Sequence, residues 1–278
     1  MSKSLAGVVA LVTGASRGAG KGIALCLGEA GCTVYVTGRS SSTGTTTQGR
    51  AETVEQTAER VTALGGKGIA VICDHGDDGQ VKAVFDKIAA DYGKLDLLVN
   101  NAWGGYETEV KTSPFWELHI EHWDTMSRVG VRSNIVAASL AAALMVPRKK
   151  GLIINISSPM KEKYNGNLYY DVVKSSLTRI SFGMNSDLSK HNITALALSP
   201  GWMMTERMVD ANVPEEEHKD IETVNYVGRA VVALASNESN ADLGGKMWEV
   251  GEIARMFNFT DVDGRQLAPF SERFPERI

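Results

Sequence analysis

The sequence predicts an α/β fold: a doubly wound parallel sheet of about seven strands with helices on both faces. Three observations predict it. Short β-branched runs alternate with longer helical patterns almost to the end of the 278 residues, a glycine-rich loop follows the first run, and irregular segments follow the second and sixth. The strands are expected at Val8–Val12, Thr33–Thr37, Gly68–Ile72, Leu95–Val99, Leu152–Ile156, Ile193–Leu198 and Lys246–Val250. Such runs are predominantly apolar rather than alternating because a covered parallel sheet is buried on both faces. Between them, helices are expected at Gly20–Ala30, Ala51–Leu64, Gln80–Tyr92, Glu121–Met145, Tyr169–Lys190 and Glu222–Ser236. No linker interrupts the alternation, so one domain over 1–278 is expected, with a C-terminal extension from about residue 252.

Composition narrows the function classes. A formal net charge of −4 argues against nucleic acid or an anionic membrane as the main partner. Three cysteines, Cys26, Cys32 and Cys73, form no CxxC pair and read as buried thiols of a reducing, cytoplasmic compartment, with neither disulfide nor metal expected. The apolar stretch Ile135–Val146 is shorter than the ~20 residues a bilayer requires. His119 and His122 share a helical spacing but lack a third ligand.

The loop Thr13-Gly14-Ala15-Ser16-Arg17-Gly18-Ala19-Gly20 lies between the first strand and the first helix, where a Rossmann-type fold binds a dinucleotide. Gly14 permits the tight turn, Gly18 allows backbone approach to a pyrophosphate, and the helix after Gly20 presents unpaired N–H groups to the anion. At the end of the second strand stands Thr37-Gly38-Arg39 rather than an acidic residue. With Arg17 in the loop, two cations and no carboxylate favour the 2′-phosphate of NADP(H). NAD(H) is the alternative if both arginines are merely solvated.

Chemistry points to one helix. Tyr170 and Lys174 are four residues apart and share a face, twelve residues after Ser158 at the end of the fifth strand. An ammonium beside a phenol favours the phenolate, so Tyr170 is a candidate general acid or base. Ser158, with Ser157 as its competitor, is the candidate donor to a substrate oxygen. Tyr169 lies off the shared face. Ser40–Gln48 reads as a loop at the cofactor end, and Met203–Lys219, hinged by Pro200-Gly201, as a substrate lid. Phe115, Trp116, Trp202, Met203 and Met204 supply either an apolar substrate wall or ordinary core.

In order and spacing, Thr13–Gly20, Asp74, Asn100-Asn101-Ala102, Ser158, Tyr170 with Lys174, and Pro200-Gly201 with Thr205 resemble the short-chain dehydrogenase/reductase family over nearly the whole chain. The runs Val129-Gly130-Val131-Arg132, Leu144-Met145-Val146-Pro147, Ile156-Ser157-Ser158-Pro159 and Asp261-Val262-Asp263-Gly264-Arg265 are similar to its member 1 subgroup. The resemblance implies ketone or aldehyde reduction, or the reverse oxidation, with Ser158, Tyr170 and Lys174 catalytic. It implies a cofactor held by Gly14, Ser16, Arg17, Gly18, Ala19, Gly20, Arg39, Asp74, Asn101, Pro200, Gly201 and Thr205, with Tyr170 and Lys174. Asp74 would meet the adenine, Asn101 would shape the sheet edge beside the ribose, Thr205 would hold the carboxamide, and Lys174 would bond the nicotinamide ribose. A homodimer or homotetramer and a small, apolar carbonyl or alcohol substrate are implied too.

Two positions depart from the family pattern. Where most members carry an Asn that completes a proton relay, this chain has Gly130, so the relay passes through the Gly130 carbonyl and a water or through Asn134. Trp103 stands where glycine is frequent, either lining the nicotinamide pocket or packing. A non-catalytic dinucleotide-binding scaffold is the alternative function. An enoyl reductase is disfavoured because Asn167, seven residues before Lys174, cannot replace a tyrosine.

Overall fold

The computed structural model describes residues 4–105, 112–159, 164 and 166–277. Its elements in chain order begin with β1 (Val9–Val12), α1 (Gly18–Glu29), β2 (Thr33–Gly38), α2 (Val54–Ala63), β3 (Lys67–Ile72), α3 (Asp78–Tyr92) and β4 (Leu97–Asn100). Then follow α4 (Ile120–Ser127), α5 (Ser133–Met145), β5 (Gly151–Ile156), α6 (Leu168–Leu188) and β6 (Ile193–Ser199). The chain closes with β7 (Met203–Met204), α7 (Glu206–Asp210), β8 (Glu222–Thr223), α8 (Val224–Ser236), β9 (Met247–Glu249), α9 (Val250–Phe257) and α10 (Phe270–Arg273).

Seven strands form the expected parallel sheet in the order β3-β2-β1-β4-β5-β6-β9, and β7 pairs with β8 in a small second sheet. The order reverses between β1 and β4. That switch point opens a crevice at the carboxyl ends of the strands. One apolar cluster covers one face of the sheet through Ile23, Leu27, Val61, Tyr226, Val231 and Ile253; a second covers the other through Val84, Phe85, Ile88, Ala138, Ala141 and Met145. Cys26, Cys32 and Cys73 are buried and unbridged, and burial pushes each thiol up to about 12.

Local chemistry sets the element ends. Thr53 and Gln56 form a reciprocal capping box, so α2 starts at Val54 rather than Ala51. Asn167 caps α6 by accepting from the Tyr170 N–H, and Thr223 caps α8 by accepting from the Asn225 N–H. Glu222–Thr223, expected to start that helix, therefore forms β8 instead. The expected helix Glu121–Met145 is continuous in direction but widens to a π turn over Arg128–Arg132. By length and composition Ile120–Arg148 is long and apolar enough to cross a membrane, but its Ala137, Ala138, Ala141 and Met145 face the second core cluster.

Candidate active site

The crevice at the switch point is a cleft of about 1130 Å³ that runs from Arg17, Arg39, Asp74 and His75 at one end to Ser158, Tyr170 and Lys174 at the other. All the residues expected at the site line it except Gly20, which lies beneath the loop. Gly14 has a φ of +64°, and a Cβ there would come within 2.8 Å of the Ala102 Cα, so only glycine fits. A Cβ at Gly20 would lie 2.4 Å from the Gly14 carbonyl oxygen and 2.5 Å from the Asn101 amide nitrogen. Asn101 uses that nitrogen to donate to the carbonyls of Thr13 and Gly14 at 2.9 Å each. It thus ties the glycine loop to the end of β4.

At the far end the Arg17 guanidinium donates from Nη2 to the Thr47 hydroxyl at 2.8 Å, while its buried Nη1 has no hydrogen-bond partner among the described residues. Burial lowers the Arg17 pKa from its ordinary value, Glu52 opposing. A buried guanidinium N–H facing the cleft fits an anionic group there. Arg39 lines the same end, but Arg50 is already paired with Glu52 and Asp210. Asp74 accepts from the Gly76 N–H at 2.8 Å, so it turns the chain while remaining on the cleft wall.

His75 was not singled out by the sequence, and no motif marks it. It is 5% exposed, with Nε2 2.8 Å from the Thr37 hydroxyl. That hydroxyl also lies 3.3 Å from the Val12 carbonyl, and the buried Nδ1 has no hydrogen-bond partner among the described residues. Burial pushes His75 down to about 4.

At the other end Ser157 donates to the Lys174 carbonyl at 2.9 Å, binding the end of β5 to α6. Ser158, half-buried, also lines the cleft. The Lys174 ammonium donates to the Ile156 carbonyl at 3.4 Å and lies 6.0 Å from the Tyr170 ring centre. Lys174 keeps partial access to the cleft, yet burial of its ammonium dominates and pushes its pKa down to about 8. Tyr169 turns away, its hydroxyl donating to the Leu118 carbonyl.

The two departures meet. A Cβ at Gly130 would lie 2.7 Å from the Trp103 ring, which stacks edge-on to Tyr170 at 5.6 Å. Asn134 donates to the Gly130 carbonyl at 3.2 Å, so its amide supports that carbonyl.

The apolar wall differs from expectation. Trp202 and Met203 line the cleft with Met208, Pro159 and Phe270, whereas Phe115 and Trp116 are 57% and 73% exposed and stack on each other outside it. Met204, beside Met203 in β7, does not line the cleft. Phe270 comes from the C-terminal extension, too far along the chain for spacing to reveal. Pro200 is buried, and Gly201 donates to Glu222 at 3.0 Å. Thr205 caps α7, and the next residue, Glu206, reaches back to accept from the Gly18 N–H at 2.8 Å. Among the described residues no three acidic, cysteine or histidine side chains gather to hold a metal.

A parallel sheet opening at its switch point onto a glycine loop and a Ser-Tyr-Lys end defines a dinucleotide-binding oxidoreductase class, and the comparisons agree. The short chain dehydrogenase family profile matches residues 8–216, and the chain belongs to that family of NAD(P)-dependent oxidoreductases. It is 34% identical to human dehydrogenase/reductase SDR family member 1 over 97% of this chain and 88% of that one. A putative dehydrogenase from Xanthomonas campestris shares the fold, with a TM-score of 0.81, 22% identity and coverage of 95% of this chain and 97% of that one. A metagenomic short-chain oxidoreductase solved with NADP matches with a TM-score of 0.67 and 26% identity, covering 84% and 92% of the two chains.

Proposed function

We propose that this chain is an NADP(H)-dependent oxidoreductase interconverting a ketone or aldehyde and an alcohol, with Tyr170 as general acid and base. The observation that carries this reading is the convergence of Tyr170, Lys174 and Ser158 at one end of a cleft whose other end holds Arg17 and Arg39. The nicotinamide, when bound, supplies or accepts the hydride. In reduction the Tyr170 hydroxyl donates its proton to the substrate oxygen, while Ser158 donates a hydrogen bond that stabilises the developing negative charge. Ser157 is spent on the Lys174 carbonyl, which favours Ser158 for that part. Lys174 lowers the cost of the phenolate by its charge and holds the nicotinamide ribose. Gly14 to Gly20 cradle the pyrophosphate, Asn101 and Asp74 shape the ribose and adenine walls, and Thr205 takes the carboxamide. The Gly130 carbonyl, oriented by Asn134, serves the relay through water.

Residues 203–219 act as a lid over a single domain. The substrate is apolar and cyclic, because Trp202, Met203, Met208 and Phe270 form its wall. Exposed Ile135 on α5 with Val172 and Phe182 on α6 support a homodimer or homotetramer, and the buried free thiols support the cytoplasm.

The test is a fluorescence titration with NADPH and NADH, followed by cofactor consumption against steroids, quinones and simple cyclic ketones. Tighter NADPH binding with ketone-dependent consumption is expected. Tyr170→Phe should keep cofactor binding and lose turnover by about 10²-fold or more. Tight binding with no turnover on any ketone would move the reading to a scaffold.

A further inference from the structure

Gly130 and Trp103 form a matched pair. A Cβ at Gly130 would stand 2.7 Å from the indole Cζ3, 3.1 Å from its Cε3 and 2.8 Å from the Val173 Cγ1, so the ring occupies the room that any side chain at 130 would need. From that seat the indole presents its face to the Lys174 ammonium, 4.7 Å from the ring centre. The Tyr170 ring stands perpendicular to the indole, 5.6 Å between centres. The ammonium also donates to the Ile156 carbonyl at 3.4 Å.

We propose that Trp103 is a positioning residue for Lys174: seated over Gly130, its indole face, together with the Ile156 carbonyl, holds the ammonium in place of a polar side chain at 130. This rests on the proposed roles of Tyr170 and Lys174.

A desolvated ammonium over an indole face gains from the ring quadrupole, and indole is the strongest aromatic partner for it. Among the described residues the groups in contact with the ammonium are few. They are Tyr170 on the same helix, the Ile156 carbonyl from β5 and the indole from the loop after β4; burial acts on it with no carboxylate among the described residues to oppose. Asp171 is three residues earlier on α6 and burial raises its own pKa. The indole is therefore the principal charge-stabilising contact besides a single long carbonyl bond. Without it the ammonium loses its proton at lower pH and swings free of Tyr170.

Two measurements test this. The first needs no turnover: indole emission of the cofactor-free protein is followed from pH 6 to 10. The wild type should titrate with a midpoint near 8, the value that burial gives Lys174. Lys174→Met and Trp103→Phe should both lose that transition while the other four tryptophans leave the background unchanged. A transition that survives in either variant overturns the contact.

The second is the pH profile of kcat/KM. Trp103→Leu, which keeps water out but removes the aromatic face, should move the alkaline limb acidward by about one pH unit. Trp103→Phe should restore most of it. Gly130→Ala, which drives the indole from its seat, should reproduce the Leu shift. A Trp103→Leu profile that coincides with the wild type overturns the positioning role even where turnover falls, because a structural loss lowers the profile without moving it. If no carbonyl substrate turns over at all, the reductase reading fails and the emission titration alone decides the Trp103–Lys174 contact.

Discussion

Arg17 concentrates the cofactor question in one side chain. One guanidinium nitrogen is satisfied by Thr47 and a second is buried beside the cleft with no hydrogen-bond partner among the described residues. A charge-assisted bond to a 2′-phosphate at that nitrogen is worth ~1.5–3 kcal/mol, so Arg17→Ala should weaken NADPH by about tenfold to a hundredfold. NADH, lacking the phosphate, should lose far less. Parallel titrations of both cofactors read the difference, and equal losses would remove Arg17 as the selector. Arg39→Asp should go further and move the preference toward NADH, since it places a carboxylate where the phosphate would lie. His75 makes a separate prediction about stability. Its folded pKa, about 4, is below the ordinary value of 6.5 because burial disfavours the charged ring. The unfolded chain thus binds the proton first. Stability is fully present above pH 6.5 and declines as pH falls toward 4. His75→Asn should show a shallower decline than wild type across that window in chemical denaturation, and an unchanged slope would show that His75 titrates normally.

At the scale of elements, the segment proposed as a lid is joined to α1 by a latch. Glu206, the first residue of α7, accepts from the Gly18 N–H at 2.8 Å and pairs with Lys21 at 2.9 Å. Burial alone would raise its pKa, but the Lys21 and Gly18 hydrogen bonds outweigh it and hold the carboxyl below the usual range. A carboxylate there lies at the helix end that a pyrophosphate also seeks. Glu206→Gln should therefore tighten NADPH binding about threefold to tenfold at low salt, with the gain shrinking as salt rises. Weaker binding would mean that the latch shapes the site rather than competing for it. No sequence pattern announced this contact, because residues 18 and 206 meet only through the fold. The seven strands of the main sheet were legible to within two residues because β-branched runs between glycine turns mark them directly, whereas the two-residue strands β7 and β8 carry no such run. Helix periodicity carried no sign of the π turn at Arg128–Arg132, whose extra residue per turn leaves an Ala-rich pattern intact. The site divides in the same way. Gly14, Ser158, Tyr170 and Lys174 follow from local spacing, whereas Trp103 over Gly130, His75 under Thr37 and Phe270 in the cleft depend on packing between distant segments. Phe115 and Trp116 mislead for that reason, since hydrophobicity alone does not say which side of a loop faces a cleft.

The whole molecule is closed by its C-terminal extension. Arg273 on α10 donates to the Asp220 carbonyl, to the Ala268 carbonyl at 2.9 Å and to Glu222, whose other oxygen accepts from the Gly201 N–H at 3.0 Å. Both flanks of the 203–219 segment, Gly201 and Asp220, are thereby tied to the last helix, the first of them through Glu222. Trp202 stacks on Phe274 at 6.5 Å, and Phe270 reaches the cleft beside it. Glu222 is 1% exposed, and burial pushes its pKa up to about 7 although Arg273 pulls it down. The folded chain therefore holds that proton more tightly than the unfolded one, whose pKa is near 4.5. This contribution to stability is fully present below pH 4.5 and lost as pH rises through 7, opposite in sign to that of His75. Glu222→Gln removes the proton exchange. Its stability relative to wild type should rise with pH across that window, by an amount on the order of a few kcal/mol at most. Arg273→Leu acts differently, because it removes the donor to a buried carboxyl that then takes up a proton, and should cost ~1–3 kcal/mol at neutral pH. It should also free the lid, raising KM for bulky ketones more than for small ones. Paired denaturation curves at pH 5 and 7.5 separate the two effects: parallel curves for Glu222→Gln and wild type would show that Glu222 is ionised throughout, and an unchanged KM ratio in Arg273→Leu would show that the extension braces the fold without governing the lid.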